Sequence, residues 1–275
     1  MNQAASLIIS VYNNEERLKL VLAGVSRQTY KNFEVLIADD GSGERMKGII
    51  AQYQESAIFP IKHIWQDDIG FRKNRILNEA IKYATTDYLI FIDGDCIPHK
   101  NFIHAHMKER ELNTVLCGSR VMLSDRMSKN ITLEAVSTGK IERFNFNLLI
   151  DALTGKASRL EEGIYIPPRF NRMFRNNRKV NILGSNFSIE KSLMEKINGF
   201  DEDYIGAGLG EDSDIQFRLT TLGACFKSVR NIAILYHLYH PKTTESSENM
   251  LRFEEKKRLQ KVFCTNGLIK FSQNQ

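Results

Sequence analysis

The chain has 275 residues, 42% hydrophobic and 26% charged, with a formal net charge of +5. That length and apolar content suffice for one large α/β domain with a buried core, and they exclude a disordered or collagen-like chain. The positive balance suits an anionic ligand or an anionic membrane surface; no interleaving of basic and aromatic residues points to nucleic acid. The four cysteines, Cys96, Cys117, Cys225 and Cys264, form no C-x-x-C pair, which argues against a zinc knuckle and a disulfide framework.

In chain order, the apolar run at 4–11 has no preceding positive residue and is too short for a membrane span. It reads as a first strand, and the expected location is cytoplasmic. Asn13 or Asn14 can cap the helix that follows, with Leu18, Val21, Leu22 and Val25 at helical spacing. Residues 33–38 form a second strand ending in Asp39-Asp40-Gly41-Ser42-Gly43, where glycines permit tight turns and carboxylates stand at the strand's end. Residues 61–65 form a third strand. A helix over about 71–83 buries Ile76, Leu77, Ala80 and Ile81. Its start, Gly70-Phe71-Arg72-Lys73-Asn74-Arg75, combines side-chain cations with a helix N-terminus and suits a diphosphate.

The fourth strand, Tyr88-Leu89-Ile90-Phe91-Ile92, stops at Asp93-Gly94-Asp95. An apolar strand ending in an acidic pair is expected in a parallel sheet whose carboxyl edge binds a ligand and a cation. D-x-D alone is weak, because Asp201-Glu202-Asp203 and Asp212-Ser213-Asp214 also fit; the preceding strand selects Asp93 and Asp95. Alternating strands and helices predict a mostly parallel sheet covered on both faces, with Tyr12, Asp40, Arg72 and Asp95 at one edge. Neither G-x-G-x-x-G after the first strand nor G-x-x-x-x-G-K-[ST] occurs, so a dinucleotide Rossmann site and a P-loop are disfavoured.

Beyond Asp95 the pattern loosens. Residues 101–111 read as a helix and 115–117 as a short strand. Residues 124–180 show no strand period, and their basic part, with Lys156, Arg159, Arg169, Arg172, Arg175, Arg178 and Lys179, is expected to be a lid beside an acceptor site or a solvated loop. Residues 181–189 are expected as an edge strand. The loop Gly206-Ala207-Gly208-Leu209-Gly210 then leads into Glu211-Asp212 and an amphipathic helix with Ile215, Phe217 and Leu219. A last strand carries His237 and His240. Residues 248–263 form a basic amphipathic helix, with Leu251, Leu259, Val262 and Phe263 as its apolar side, suited to packing on the domain or resting on an anionic membrane.

In this order, Ser10-Val11-Tyr12-Asn13-Asn14-Glu15, Asp39-Asp40-Gly41-Ser42, Gly70 to Arg75, Asp93-Gly94-Asp95, Asn198-Gly199-Phe200-Asp201-Glu202, Gly210-Glu211-Asp212 and Tyr236-His237 resemble glycosyltransferase family 2. The members most resembled have a galactosyltransferase-like carboxy-terminal acceptor region. The resemblance implies one domain of the GT-A fold over 1–275: a nucleotide-sugar half (1–123), the basic excursion (124–180), an acceptor half (181–246) and a terminal helix (247–275). It implies a nucleotide-sugar donor, most often a UDP-sugar. Val11, Tyr12 and Asp40 would hold uracil and ribose, and Arg72 the nucleotide or its phosphates. Asp93 and Gly94 would meet ribose or donor sugar. Asp95 would hold Mn²⁺ or Mg²⁺ with His237, for which His240 is the alternative. Asp212 matches the catalytic base and Glu211 an acceptor contact. A tryptophan frequent before the Glu-Asp pair is replaced here by Gly208.

These residue types suit the chemistry. Displacing a nucleoside diphosphate from an anomeric carbon needs leaving-group charge stabilised and one carboxylate to take the acceptor's proton, with inversion by direct attack. The implied acceptor is a glycan or a lipid-linked saccharide, as in bacterial surface polysaccharide or lipopolysaccharide synthesis, with peripheral membrane contact. Two competing readings are a haloacid-dehalogenase-type phosphatase and a non-catalytic nucleotide-sugar-binding module. The phosphatase motif wants Thr or Val where Ile97 stands, and it prefers the amino terminus.

Overall fold

The computed structural model describes residues 4–143, 158–167, 170, 180–206, 210–241 and 247–271. Strand β1 (Ala5–Val11) is buried along its whole length, as a central parallel strand must be. It pairs in parallel with β2 (Phe33–Asp39) and β4 (Tyr88–Asp93), and β2 pairs with β3 (Ile61–Trp65) at the edge. Beyond β4 come β8 (Asn186–Glu190), β6 (Thr114–Cys117) and β9 (Cys225–Ser228), which complete a seven-stranded sheet in the order β3-β2-β1-β4-β8-β6-β9. Only β8 runs antiparallel to its neighbours. A second sheet is made of β5 (Cys96–Pro98), β10 (Ile234–His237) and β7 (Ser119–Met122).

Alternate residues of the strands feed two cores. Leu7, Ile9, Ile90 and Ile92 face one side, with helices α1 (Glu15–Ser26), α2 (Glu44–Ser56) and α4 (Phe102–Glu109). Ile8, Leu36, Leu89 and Phe91 face the other, with α3 (Lys73–Tyr83), α7 (Lys191–Lys196) and α8 (Asp212–Thr221). The period of two along each strand is what makes both faces apolar and attracts helices to each. Two short helices, α5 (Asp125–Asn130) and α6 (Leu133–Ser137), follow the second sheet's β7.

Two expectations are corrected. The segment 181–189 does not supply an edge strand: β8 lies inside the sheet, hydrogen-bonded to β4 and β6. Its polar alternate residues suggest solvent, yet they are buried and paired. The Ser188 hydroxyl bonds the Tyr88 hydroxyl and His106 Nδ1, each at 2.8 Å. Asn186 Nδ2 donates to the carbonyls of Ser119 (2.6 Å) and Ala233 (3.0 Å), tying one sheet to the other. Gly118 leaves room for that carboxamide, since a Cβ there would sit 2.2 Å from it.

The terminal helix, α9 (Ser247–Leu259), also differs from expectation. Its docking face is mixed: Asn249 is buried, the Lys256 ammonium pairs with Asp201 and lies 3.5 Å from Asp214, and Phe253 meets Phe217 edge-on at 6.2 Å. Of the expected apolar side, Val262, beyond the helix end, packs on the core, whereas Leu251 is 75% exposed and Leu259 and Phe263 are exposed as well. The partner of this face is the fully buried Arg218–Asp214 pair of α8, where Arg218 Nε donates to Asp214 Oδ2 at 2.6 Å. A carboxylate pair offers more to a lysine than to a leucine, so the charge decides the helix's orientation.

Buried His106 supplies a test. Burial lowers its pKa from 6.5 to about 3, so it stays neutral in the folded chain. Below pH 6.5 the unfolded chain takes up a proton that the folded chain refuses, and stability falls with pH by up to ~1.4 kcal/mol per unit from this residue. Denaturant midpoints measured between pH 6.5 and 5 are expected to fall more steeply in the parent than in His106→Gln.

Candidate active site

The carboxyl ends of β1, β2 and β4 open into a cavity of about 330 Å³ lined by Ser10, Val11, Tyr12, Asp40, Lys73 and the run Asp93 to Asp95. Opening at this edge follows from the topology, because the connections leaving parallel strands diverge there. The Asp40 amide donates to the Val11 carbonyl at 3.0 Å, which joins the β1 and β2 exits. Gly94 donates to the Ser10 carbonyl at 2.7 Å, and a Cβ on it would lie 2.7 Å from Val11 Cγ1, so the backbone approach needs glycine.

At the β2 end of the cavity, Asp40 is buried. It accepts from the Arg72 amide at 2.9 Å and from Gln66 Nε2. Burial raises its pKa, and those two hydrogen bonds oppose the rise. Neighbouring Asp39 is spent on structure, accepting from the Ser42 amide at 2.8 Å and bonding His63 Nε2 at 2.8 Å. Tyr12 is half exposed and donates to Asp68 Oδ2 at 3.1 Å. Arg72 reaches this end of the cavity through its amide, while its guanidinium donates to the Asp67 carbonyl and lines a neighbouring depression with Trp65 and Arg75. The next residue, Lys73, lines the cavity itself.

Lys73 joins the two halves of the site. Its ammonium lies 2.7 Å from Asp93 Oδ1 and 2.7 Å from Glu211 Oε1. Asp93 also accepts from Ser10 Oγ at 2.8 Å, with Arg120 Nη1 at 3.8 Å. Burial alone pushes the Asp93 carboxyl up, but Lys73 outweighs it and holds the group at about 2. Lys73 is held protonated because both carboxylates outweigh its own desolvation. Glu211 shifts the other way: burial and the charges of Asp93 and Asp212 raise it, against Lys73. Ser10 and Arg120 add to Lys73 at Asp93, whereas Asp212 adds a like charge at Glu211, so the two carboxylates part.

The turn before α8 is fixed from α3. Asn74 Nδ2 donates to the carbonyls of Asp201 (2.7 Å) and Gly210 (3.1 Å). The Asn78 carboxamide bonds both the amide and the carbonyl of Phe200, at 2.9 and 2.8 Å. Gly210 has φ +119°, a value that favours glycine, and it turns the chain so that Glu211 and Asp212 lead the helix. Asp212 Oδ2 accepts from the Gly184 amide at 3.3 Å. A Cβ on Gly184 would lie 2.4 Å from Glu211 Oε1, so this glycine makes room for the acid pair.

Around Asp95 the groups suit a divalent cation. Asp95 Oδ2 lies 3.6 Å from His237 Nε2, 3.5 Å from His240 Nε2 and 3.5 Å from Arg17 Nη1. The histidine separations lie at or beyond the hydrogen-bond limit and match two ligand atoms sharing an ion at ~2.1 Å each. Burial drives His237 down to about 3, keeping it in the neutral form that ligates, and its buried Nδ1 has no hydrogen-bond partner. Asp95, Cys96 and His237 present ligand atoms within 4.8 Å of one another. Burial and the Asp93 charge raise the Asp95 pKa, against His240 and Arg17. A cation would reverse that rise.

The other two D-x-D matches have structural partners. Asp201 pairs with Lys256, Asp203 with Arg252 at 3.6 Å, and Asp214 with Arg218. Of the basic excursion, Lys156, Arg169, Arg172, Arg175, Arg178 and Lys179 lie outside the described residues, as does Gly208. Sequence reasoning did not single out Lys73, Arg17 or Arg120; the cationic start of α3 was the only signal for the first.

The strand order, with the acidic pair ending β4, defines the GT-A glycosyltransferase fold. The model for glycosyl transferase family 2 matches residues 6–183, and that for the N-terminal domain of galactosyltransferase matches residues 170–241. The chain belongs to glycosyl transferase family 2. Chondroitin synthase of Escherichia coli is 26% identical over 249 residues, 86% of this chain and 35% of that protein. The chain therefore spans about a third of that relative. YfnE of Bacillus subtilis, described as an uncharacterized glycosyltransferase, is 27% identical over 90% of this chain and 67% of its own. Two solved structures share the fold. TarS 1-349 of S. aureus with UDP-GlcNAc has a TM-score of 0.61 at 16% identity, covering 93% of this chain and 65% of its own. The Pyrobaculum calidifontis mannosyltransferase PcManGT with GDP-Man and Mn2+ has a TM-score of 0.56 at 14% identity, covering 94% and 62%.

Lys73→Met strands the Asp93 carboxylate without its main partner. The expected result is a stability loss on the order of 2 kcal/mol at neutral pH, with partial recovery in Lys73→Arg. Urea denaturation of the three proteins measures it.

Proposed function

We propose that this chain is an inverting, metal-dependent glycosyltransferase that moves a sugar from a nucleoside diphosphate donor, UDP-linked, to a hydroxyl of a glycan or lipid-linked acceptor. The observation that carries the reading is Lys73, whose one ammonium contacts both the strand-end Asp93 and the helix-start Glu211 at 2.7 Å. Through it a donor pocket and an acid pair from distant parts of the chain meet.

Val11, Tyr12 and Asp40 hold the nucleoside, with Asp40 kept in place by the Arg72 amide. Asp93 and Gly94 meet the ribose or the donor sugar. Asp95 and His237 would hold the cation, and His240, 3.5 Å from Asp95 against 3.6 Å for His237, could join them. Bound there, Mn²⁺ or Mg²⁺ would stabilise the charge of the departing diphosphate. Asp212 accepts the proton of the attacking hydroxyl, while Glu211 grips the acceptor. A single base facing the anomeric carbon opposite the leaving group gives inversion.

Among the described residues no helix is long and apolar enough to cross a membrane. A cytoplasmic protein touching a membrane only peripherally, and working in surface polysaccharide synthesis, accords with a lipid-linked acceptor and with the net charge of +5.

Asp212→Asn is expected to bind UDP in Mn²⁺ like the parent and to lose transfer by several orders of magnitude, since only the base is removed. Calorimetry and a UDP-release assay over a panel of sugar nucleotides test both halves; undiminished turnover would remove Asp212 from the mechanism. Asp95→Ala is expected to abolish the Mn²⁺ dependence of UDP binding, read by calorimetry with and without the metal.

A further inference from the structure

Arg17 stands in an unusual place for a positive charge. It projects from the first turn of α1 into the cavity, and its Nη1 lies 3.5 Å from Asp95 Oδ2, the same oxygen that His237 and His240 approach. Its Nη2 donates to the Tyr239 carbonyl at 2.8 Å, between the two histidines in sequence. The Asn14 side chain accepts from the Arg17 amide at 3.3 Å and fixes the start of the helix that aims it. The fork is thus held across the mouth of the cation site from both ends.

Lys73 and Arg120 stand by Asp93, and Lys73 is shared with Glu211. Arg17 shares Asp95 Oδ2, so a divalent ion there competes with the guanidinium for one oxygen. Like charges so close repel, and the ion by itself must displace the fork. A diphosphate removes the conflict, because its oxygens can accept from the guanidinium fork and the ion together.

We infer that Arg17 is a diphosphate-binding residue that makes metal and nucleotide binding mutually dependent: it pairs with Asp95 before the ion binds and turns to the donor's phosphates once the ion takes Asp95. The inference rests on the proposed donor chemistry. Because the coupling is reciprocal, the nucleotide tightens the metal by the factor with which the metal tightens the nucleotide.

The test is calorimetric titration of the whole chain with Mn²⁺ alone, and with UDP at saturating Mn²⁺, for the parent, Arg17→Gln and Arg17→Lys. In Arg17→Gln, Mn²⁺ alone is expected to bind as tightly or a few-fold more tightly, while UDP binds about ten- to a hundred-fold more weakly. Arg17→Lys, which keeps the charge without the fork, is expected to recover part of the UDP affinity. If both affinities fall together in Arg17→Gln, Arg17 is a strut for the Tyr239 segment and the inference is overturned. UDP affinity unchanged from the parent overturns it too. A parent chain that binds no UDP at any Mn²⁺ concentration overturns the proposed function, and the inference with it.

Discussion

The site depends on one shared ammonium. Lys73 is surrounded by carboxylates whose like charges would otherwise drive their elements apart, and its two 2.7 Å contacts fasten the exit of β4 to the start of α8. Segments that begin more than a hundred residues apart are brought together because a charge with low exposure needs partners. The same helix carries Asn74 and Asn78, which hold the backbone at Phe200, Asp201 and Gly210. One face of α3 packs on the sheet through Ile76, Leu77, Ala80 and Ile81, while another holds the approach to α8.

Electrostatics divides the acidic residues into two kinds. Asp39, Asp201, Asp203 and Asp214 have hydrogen-bond or ion-pair partners that fix turns and dock helices. Asp93, Asp95 and Glu211 share a limited supply of cations at the edge of a cavity, and their pKa values diverge: Asp93 is driven down, while Asp95 and Glu211 are raised by burial and by the Asp93 charge. Carboxylates whose charge is only partly compensated are those left free to meet a metal ion or a substrate.

Much of this was legible in the chain. The alternating strands and helices of the first hundred residues have strong periods, and the apolar run ending at Asp93 lies where its pattern indicated. The second sheet was not legible, because strands as short as Cys96–Pro98 carry too few residues to show a period. The interior position of β8 was hidden by its own polar residues, which are satisfied by His106, Tyr88 and backbone carbonyls far away in sequence. The exposed Leu251 reflects the same blindness: an amphipathic pattern does not reveal that an Asp201 and Asp214 pair will claim the lysine on the opposite side.

The sequence by itself determined the parallel core and the set of chemical groups at its edge, since both follow from local periodicity and from residue type. Only the tertiary structure decided which of two neighbouring cations, Arg72 or Lys73, enters the cavity. Arg72 precedes α3 with a non-helical backbone (φ −132°, ψ 39°), whereas Lys73 is the first residue of the helix, and the docking of α3 between the β4 exit and the backbone at Asp201 and Gly210 aims it inward. It also decided that Asp95 has two imidazoles and a guanidinium around one oxygen, because β10 pairs with β5 directly after Asp95 while α1, from far earlier in the chain, brings Arg17 to the same oxygen.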